Sequence, residues 1–143
     1  MRVLDTFSAE QIRFLRDSIT LVEGNIIVWH EAPEASVAGL EVHKAKIAEL
    51  ASPLSHFYML IDVSQSARPK PEFINALKHY MQNEAMSGLQ HAAIFVGENY
   101  ITRFAVQYMG KRMGFLSYSV HMKEQEAFGE LRTRQAEQAR AFL

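Results

Sequence analysis

Two short runs constrain the fold more than anything else in this chain. FYMLIDV (residues 57–63) and HAAIFVG (residues 91–97) are almost continuously apolar and no longer than a strand. A strand with one wet face alternates. A run that is apolar throughout fits a strand covered on both faces, as in parallel sheets. Between them the period changes. Pro71 suits the first position of a helix, and Phe73, Ile74, Leu77, Tyr80 and Met81 make one apolar face before Gly88 ends it. Strand, helix, strand in this order implies a right-handed crossover and parallel pairing.

The same grammar extends both ways. SITLVEGNIIVWHE reads as a hairpin, two β-rich runs around a two-residue Gly24-Asn25 loop of type II′. From Ser36, the residues Val37, Leu40, Ile47 and Leu50 fall near helical spacing until Pro53 stops them. Asn99 is a good N-cap for a helix packing through Ile101, Phe104, Ala105 and Met109. YSVHM is a short strand, and KEQEAFGELRTRQAEQARAFL is a last helix, polar for most of its length. Near the start, Ser8 and Gln11 form a capping box for a helix over 8–16, although QIRFL also has strand character.

The expected fold is α/β: a β-hairpin, then αβαβαβα, giving a mixed sheet of four to five strands covered by helices. Residues 1–16 form an N-terminal helical extension, and 17–143 a single domain with a polar C-terminal helix. The tail after Leu131 is a candidate appendage. Leu131, Gln135, Gln138 and Phe142 near heptad spacing signal a homodimer or a docking face, with a frayed terminus as the alternative.

Composition excludes several function classes. A net charge of -1 offers no basic excess for nucleic acid. Without cysteine there is no disulfide, thiolate metal site or cysteine nucleophile. No apolar run approaches the ~20 residues that cross a bilayer, and MRVLDTFSAEQ has no signal-peptide core. A soluble, cytoplasmic protein is expected. His30, His43, His56, His79, His91 and His121 show no paired metal-ligand spacing, so no metal and no cofactor is expected.

The element order, with YMLIDVSQS…PEFINALKHYM, HAAIFVGENYITRFAVQYMGKRM and YSVHMKEQEAFGEL, resembles the STAS domain superfamily over roughly residues 17–132. It is most similar to the SpoIIAA-like branch, related to bacterial anti-sigma-factor antagonists. The resemblance implies a four- or five-stranded sheet with helices, no catalysis, and signalling through protein–protein binding. Many antagonists are switched by phosphorylation of a serine at the N-terminus of the second helix, inside an Asp-Ser-Ser-Gly-like motif. Here that stretch reads DVSQSARPKP, without glycine, and Lys70 stands where those relatives place the serine.

In open parallel sheets ligands bind beyond the carboxyl ends of the strands. That places a candidate rim on two loops holding Asp62, Ser64, Ser66, Arg68, Lys70, Gly97, Glu98, Asn99 and Tyr100. Two helix N-termini beside Arg68 and Lys70 suit a small anion or a protein partner. Turn chemistry alone also accounts for these residue types. A triad of Ser64, His91 and Asp62 is disfavoured, because a histidine at a strand start lies across the sheet from a serine at a strand end. GKRMG (110–114) follows a helix and reads as a C-terminal cap rather than a phosphate loop. Met59, Met81, Met109 and Met122 fit core positions, while Met86, Met113, Tyr108 and Phe115 fall at helix ends or surfaces. The second functional reading is a carrier of a small apolar or lipid-like ligand held between helices and sheet, marked by a cavity of ligand size lined by Phe, Met and Tyr, whereas a filled core with an exposed apolar patch marks the partner module.

Overall fold

The computed structural model describes residues 7–99, 103, 106–107, 110–111, 113–114 and 116–141. The two apolar runs are β3 (Phe57–Asp62) and β4 (Leu89–Phe95), paired in parallel with Leu60 opposite Ala93. Outside them lie β2 (Ile26–His30), parallel to β3, and β5 (Tyr118–His121), parallel to β4. β1 (Ile19–Val22) closes the edge antiparallel to β2. The sheet is five-stranded and mixed, in the order β1-β2-β3-β4-β5. The chain is therefore α/β, as the alternation of patterns indicates.

This order never reverses. With right-handed crossovers, a sheet that grows in one direction collects its crossover helices on one face. α2 (Val37–Ala51) and α3 (Pro71–Gln82) accordingly share one core with Ile27, Trp29, Phe57 and Met59. The opposite face carries Ile26, Val28, Tyr58, Leu60 and Ala93, covered by Ala127 and Leu131 of α4 (Glu124–Ala141). Alternate residues of β2 enter different cores, which is why that strand lacks a polar stripe. Between β4 and β5, Arg103, Val106, Gln107, Gly110 and Lys111 are helical. The expected packing positions Ile101, Phe104, Ala105, Tyr108, Met109 and Phe115, and Phe142 of the tail, lie outside the described residues.

α1 (Ala9–Asp17) settles the helix-or-strand ambiguity at the start. Ser8 Oγ accepts from Gln11 N–H at 3.1 Å, and Gln11 Oε1 accepts from Ser8 N–H at 2.7 Å. This reciprocal cap satisfies donors that the helix itself cannot. Arg16 then reaches Glu49 of α2 at 2.5 Å. Ser8→Ala is expected to cost about 0.5–2 kcal/mol of local stability. Hydrogen exchange checks it: residues 9–17 should exchange faster while β3 and β4 keep their protection.

Three expectations need correction. The hairpin loop has three residues, not two. Burial of Ile19 and Ile26 fixes the pairings Ile19–Trp29 and Val22–Ile26, leaving 23–25 to turn. The left-handed positions are Glu23 (φ 51°) and Gly24 (φ 89°). For Glu23 that conformation costs about 1–2 kcal/mol. The strain is offset from α4, where Arg132 Nε pairs with Glu23 at 3.0 Å and Gln135 donates to Glu23 O at 2.9 Å and to Asn25 Oδ1 at 2.6 Å.

The same contacts correct the tail. α4 lies along the sheet rather than hanging from it, with Leu131 fully buried. Tyr58 OH bonds Gln138 and donates to Arg134 O at 3.3 Å. The heptad-like spacing is thus spent on docking within the chain. Among the methionines, Met122 is exposed rather than in the core, Met86 is buried at the end of a short 3-10 helix, and Met113 is buried rather than at the surface. Met122 directly follows β5.

Candidate functional site

Asp62 ends β3 and organises the rim. Its Oδ2 lies 2.8 Å from Nδ1 of His30, the residue paired with it on β2. Its Oδ1 accepts from Ser64 N–H at 2.9 Å and from the Ser64 hydroxyl at 2.6 Å. This is an Asx turn, the local bond that makes aspartate a turn residue. The chain then passes under the loop after β2. Ser66 is buried, its hydroxyl donates to Ala32 O at 3.1 Å, and Ala67 N–H donates to Pro33 O at 2.8 Å.

The second loop closes over the first. Asn99 Nδ2 donates to Ser66 O at 2.9 Å and to Ser64 O at 3.4 Å. Gly97 takes φ 60°, and a Cβ there would stand 3.3 Å from Ser64 Cβ. Asp62, Ser64, Ser66, Gly97 and Asn99 are therefore brought together as one locked unit. Arg68, Lys70 and Glu98 are exposed beside it. Lys70 occupies the N-cap of α3 with no side-chain cap bond, ahead of Pro71. Tyr100 lies outside the described residues.

The Ser64 hydroxyl is tied into its own turn. The Ser64 proton is committed to the Asp62 carboxylate rather than to an imidazole. His91 pairs in register with Tyr58, four residues before Asp62 on β3. Its ring lies on the α4 side, with Nδ1 2.7 Å from Ser117 Oγ and Nε2 2.8 Å from Ser119 Oγ. Ser64, His91 and Asp62 do not assemble. Burial pushes the His91 imidazole down to about 4, so it is neutral at physiological pH. Among the described residues no three His, Asp or Glu side chains gather as a metal site.

The rule that placed ligands at strand ends needs a crevice, which opens where strand order reverses. Among the described residues this sheet has no such point. One cavity, of about 80 Å³, lies on the face of α2 and α3, and a larger groove of about 450 Å³ lies between α1, the start of α2 and the loop after β2, bordered by Phe14, Glu31, Ala32 and Gly39. The lining of the cavity is almost wholly apolar and includes Trp29, Phe73, Met81, Met113 and Tyr118. Glu31, just past β2, also borders it.

Glu31 was not legible as a site residue, and it is the most perturbed acid of the described chain. Its side chain is 7% exposed. Burial pushes its carboxyl up to about 7, against the bond that its Oε1 accepts from Ala32 N–H at 2.9 Å. His43 of α2 brings Nδ1 to 3.8 Å from that oxygen, and burial pushes this imidazole down to about 4. His43 Nε2 stands 3.2 Å from Ser18 Oγ. The Trp29 ring meets His43 edge-on at 5.4 Å. Trp29 Nε1 and His43 Nδ1 are buried without a hydrogen-bond partner. The signal that could have found this cluster is parity: Ile27, Trp29 and Glu31 alternate onto one face, so the carboxylate after WH follows the tryptophan inward.

Compared with family models, with curated proteins and with solved structures, the chain has no match in any of the three.

Proposed function

We propose that this chain is a non-enzymatic, STAS-like binding module of the cytoplasm that recognises a protein partner through the rim beyond β3 and β4. The observation that carries this reading is the locked loop. Asp62, Ser64, Ser66 and Asn99 hold a fixed turn, and Arg68 and Lys70 project beside it at the start of α3. A preorganised loop loses little entropy on binding. Its two cations and the positive end of the α3 dipole suit an acidic segment of the partner. The hairpin followed by alternating strands and helices supports the STAS-like assignment.

The loop serves as a surface, not as a phosphorylation switch. Ser66 is buried and Ser64 is held by Asp62. Lys70 fills the cap where a phosphate would gain most from the helix. Binding measured with a partner captured by affinity and identified by mass spectrometry tests this. Ser64→Ala and Ser66→Ala should keep affinity within about tenfold, ~1.4 kcal/mol. Arg68→Glu, which reverses a charge on the rim, should weaken binding by more than that. Abolition by either alanine variant, or stoichiometric phosphate on Ser64 or Ser66 in cells, would overturn the reading. A second reading, carriage of a small apolar ligand, has a suitable apolar lining in the cavity beside Trp29, but at about 80 Å³ that cavity falls short of the ~300–1,000 Å³ of ordinary ligand sites.

A further inference from the structure

The groove between α1, the start of α2 and the loop after β2 holds about 450 Å³, within the ~300–1,000 Å³ of ordinary small-molecule sites. One wall is a face of α1 and the residue before its cap. Phe7, Glu10 and Phe14 fall three and four residues apart, so they line up along that face. Phe14 is 67% exposed, while Leu15 beside it is buried. The wall is therefore aromatic and open.

The charged lining of the groove has one sign. Glu10 and Glu34 are exposed on it, Glu31 borders it, and no lysine or arginine of the described chain lines it. Two helix starts oppose this charge. α1 and α2 both begin at the groove, and each contributes about half a positive charge. Glu10 and Glu34 supply two negative charges, so the groove is negative before Glu31 is counted.

Glu31 is an independent sign of an occupant. Its side chain is 7% exposed, and no described cation pairs with it. Oε1 accepts from Ala32 N–H, and Oε2 takes no hydrogen bond from any described residue. His43 does not act as its counter-ion. Ser18 gives its hydroxyl proton to Leu15 O at 2.6 Å, so His43 Nε2–H donates to Ser18 Oγ, and Nδ1 keeps its lone pair on the side of Glu31. That tautomer is neutral, as the burial of His43 requires. A buried carboxyl without a counter-ion costs stability, and one that borders a groove points to a ligand of opposite charge.

We propose that this groove binds a small organic cation, an ammonium group on an aryl or alkyl body, with the body against Phe7 and Phe14 and the charge among Glu10, Glu31 and Glu34. The site is separate from the rim and from the cavity beside Trp29, and stands or falls without them. A bare metal ion does not suit it, because no three acidic or histidine side chains of the described chain gather as metal ligands. An anion meets three like charges. A neutral molecule leaves Glu31 without a counter-ion.

The full chain, labelled with nitrogen-15, is titrated with phenethylammonium, phenethyl alcohol and phenylpropionate, and its amide shifts are followed by NMR. The ammonium should bind saturably and move the amides of 10–15 and 31–39. It should bind about tenfold or more tighter than the alcohol, the size expected of a charge-assisted bond in a partly buried setting. Phenylpropionate should not bind. Glu10 and Glu34 are exposed, so Glu10→Gln with Glu34→Gln keeps the fold. That pair should cut the advantage of the ammonium to below about threefold, and adding Glu31→Gln should abolish it. Phe14→Ala should weaken the ammonium and the alcohol alike, since it removes contact with the body and leaves the charges.

Equal affinity for ammonium and alcohol in the native chain would overturn the cation assignment. An advantage that survives all three glutamines would remove the carboxylates as its cause and overturn the proposal as stated. Shifts confined to 62–70 would put the ligand on the rim and overturn the location, and no saturable binding of any probe would overturn the site itself. The rival occupant is a basic segment of a protein. If acetyl-Lys-Phe-Lys amide moves the same amides and binds about tenfold or more tighter than phenethylammonium, the small-molecule assignment falls.

Discussion

Leu60→Ala is expected to lower the free energy of unfolding by about 2–5 kcal/mol, a large share of the ~5–15 kcal/mol that holds a domain of this size. Leu60 sits at the middle of β3 with none of its surface exposed. Val28 and Ala93 flank it in register on β2 and β4. It faces α4 through a small core that includes Ile26, Tyr58, Ala127 and Leu131. Two of the groups around it are alanines, so little side chain can fold into the hole. The cavity term then adds almost fully to the lost transfer term. Because this core is what holds α4, the amides of 124–141 should exchange faster in the variant than those of α2. Urea unfolding followed by circular dichroism measures the total. A midpoint near that of the native chain would mean that β3 is not a central strand.

The centre of the fold was legible because burial on both faces leaves its mark in the residues themselves. FYML has no position where water is tolerated, and it lies in the middle strand. The Ser8 and Gln11 cap was legible because both partners of the bond lie within one turn. What failed depended on partners far away in the chain. The hairpin loop follows from the burial of Ile19 against Trp29, and its strained Glu23 is held by Arg132, 109 residues further on. The docking of α4 beyond Leu131 was hidden because its contacts there are polar. Gln135 and Gln138 bond to Asn25 and Tyr58, and hydropathy counts those glutamines as surface.

The candidate site divides in the same way. Asp62, Ser64 and Ser66 form a local turn, and their types announced one. That Asn99 would close over them, and that Arg68 and Lys70 would stay free of it, needed the pairing of β3 with β4. The unbroken strand order was not readable from any segment. It removes the switch-point crevice at the strand ends. Glu31 looks like a loop carboxylate in VWHEAP. Its depth comes from α2, which brings His43 against it.

Replacing Glu31 by glutamine should stabilise the protein above pH 7 and leave it unchanged near pH 4.5. The carboxyl titrates at about 7 when folded, against an ordinary value of 4.5. Below pH 4.5 it is neutral in both states and costs nothing. As pH rises from 4.5 to 7 the unfolded chain gives up the proton while the folded chain keeps it, so stability falls. Above pH 7 the full penalty is present, on the order of 3 kcal/mol for a shift of about 2.5 pH units. His43 and His91 act in the opposite sense. Burial holds both at about 4, below their ordinary 6.5, so stability falls as pH drops from 6.5 towards 4. Between pH 4.5 and 6.5 two protons favour the unfolded chain against one favouring the folded chain. The native protein should therefore gain about 1.4 kcal/mol per pH unit there and be most stable near pH 6.5. In Glu31→Gln the opposing proton is gone. That limb should be nearly twice as steep and then flat, without the decline towards pH 7. The amide oxygen can still accept from Ala32 N–H, so the substitution removes the charge and little else. Carboxylates such as Glu49 and Glu130, held low by Arg16 and Arg134, shift both proteins alike and cancel in the difference. Urea unfolding at half-unit steps from pH 4.5 to 8 gives that difference directly. A variant no more stable than the native chain at pH 8 would mean that Glu31 is solvated in the folded protein. A gap of constant size at every pH would mean that its effect is one of packing and not of charge.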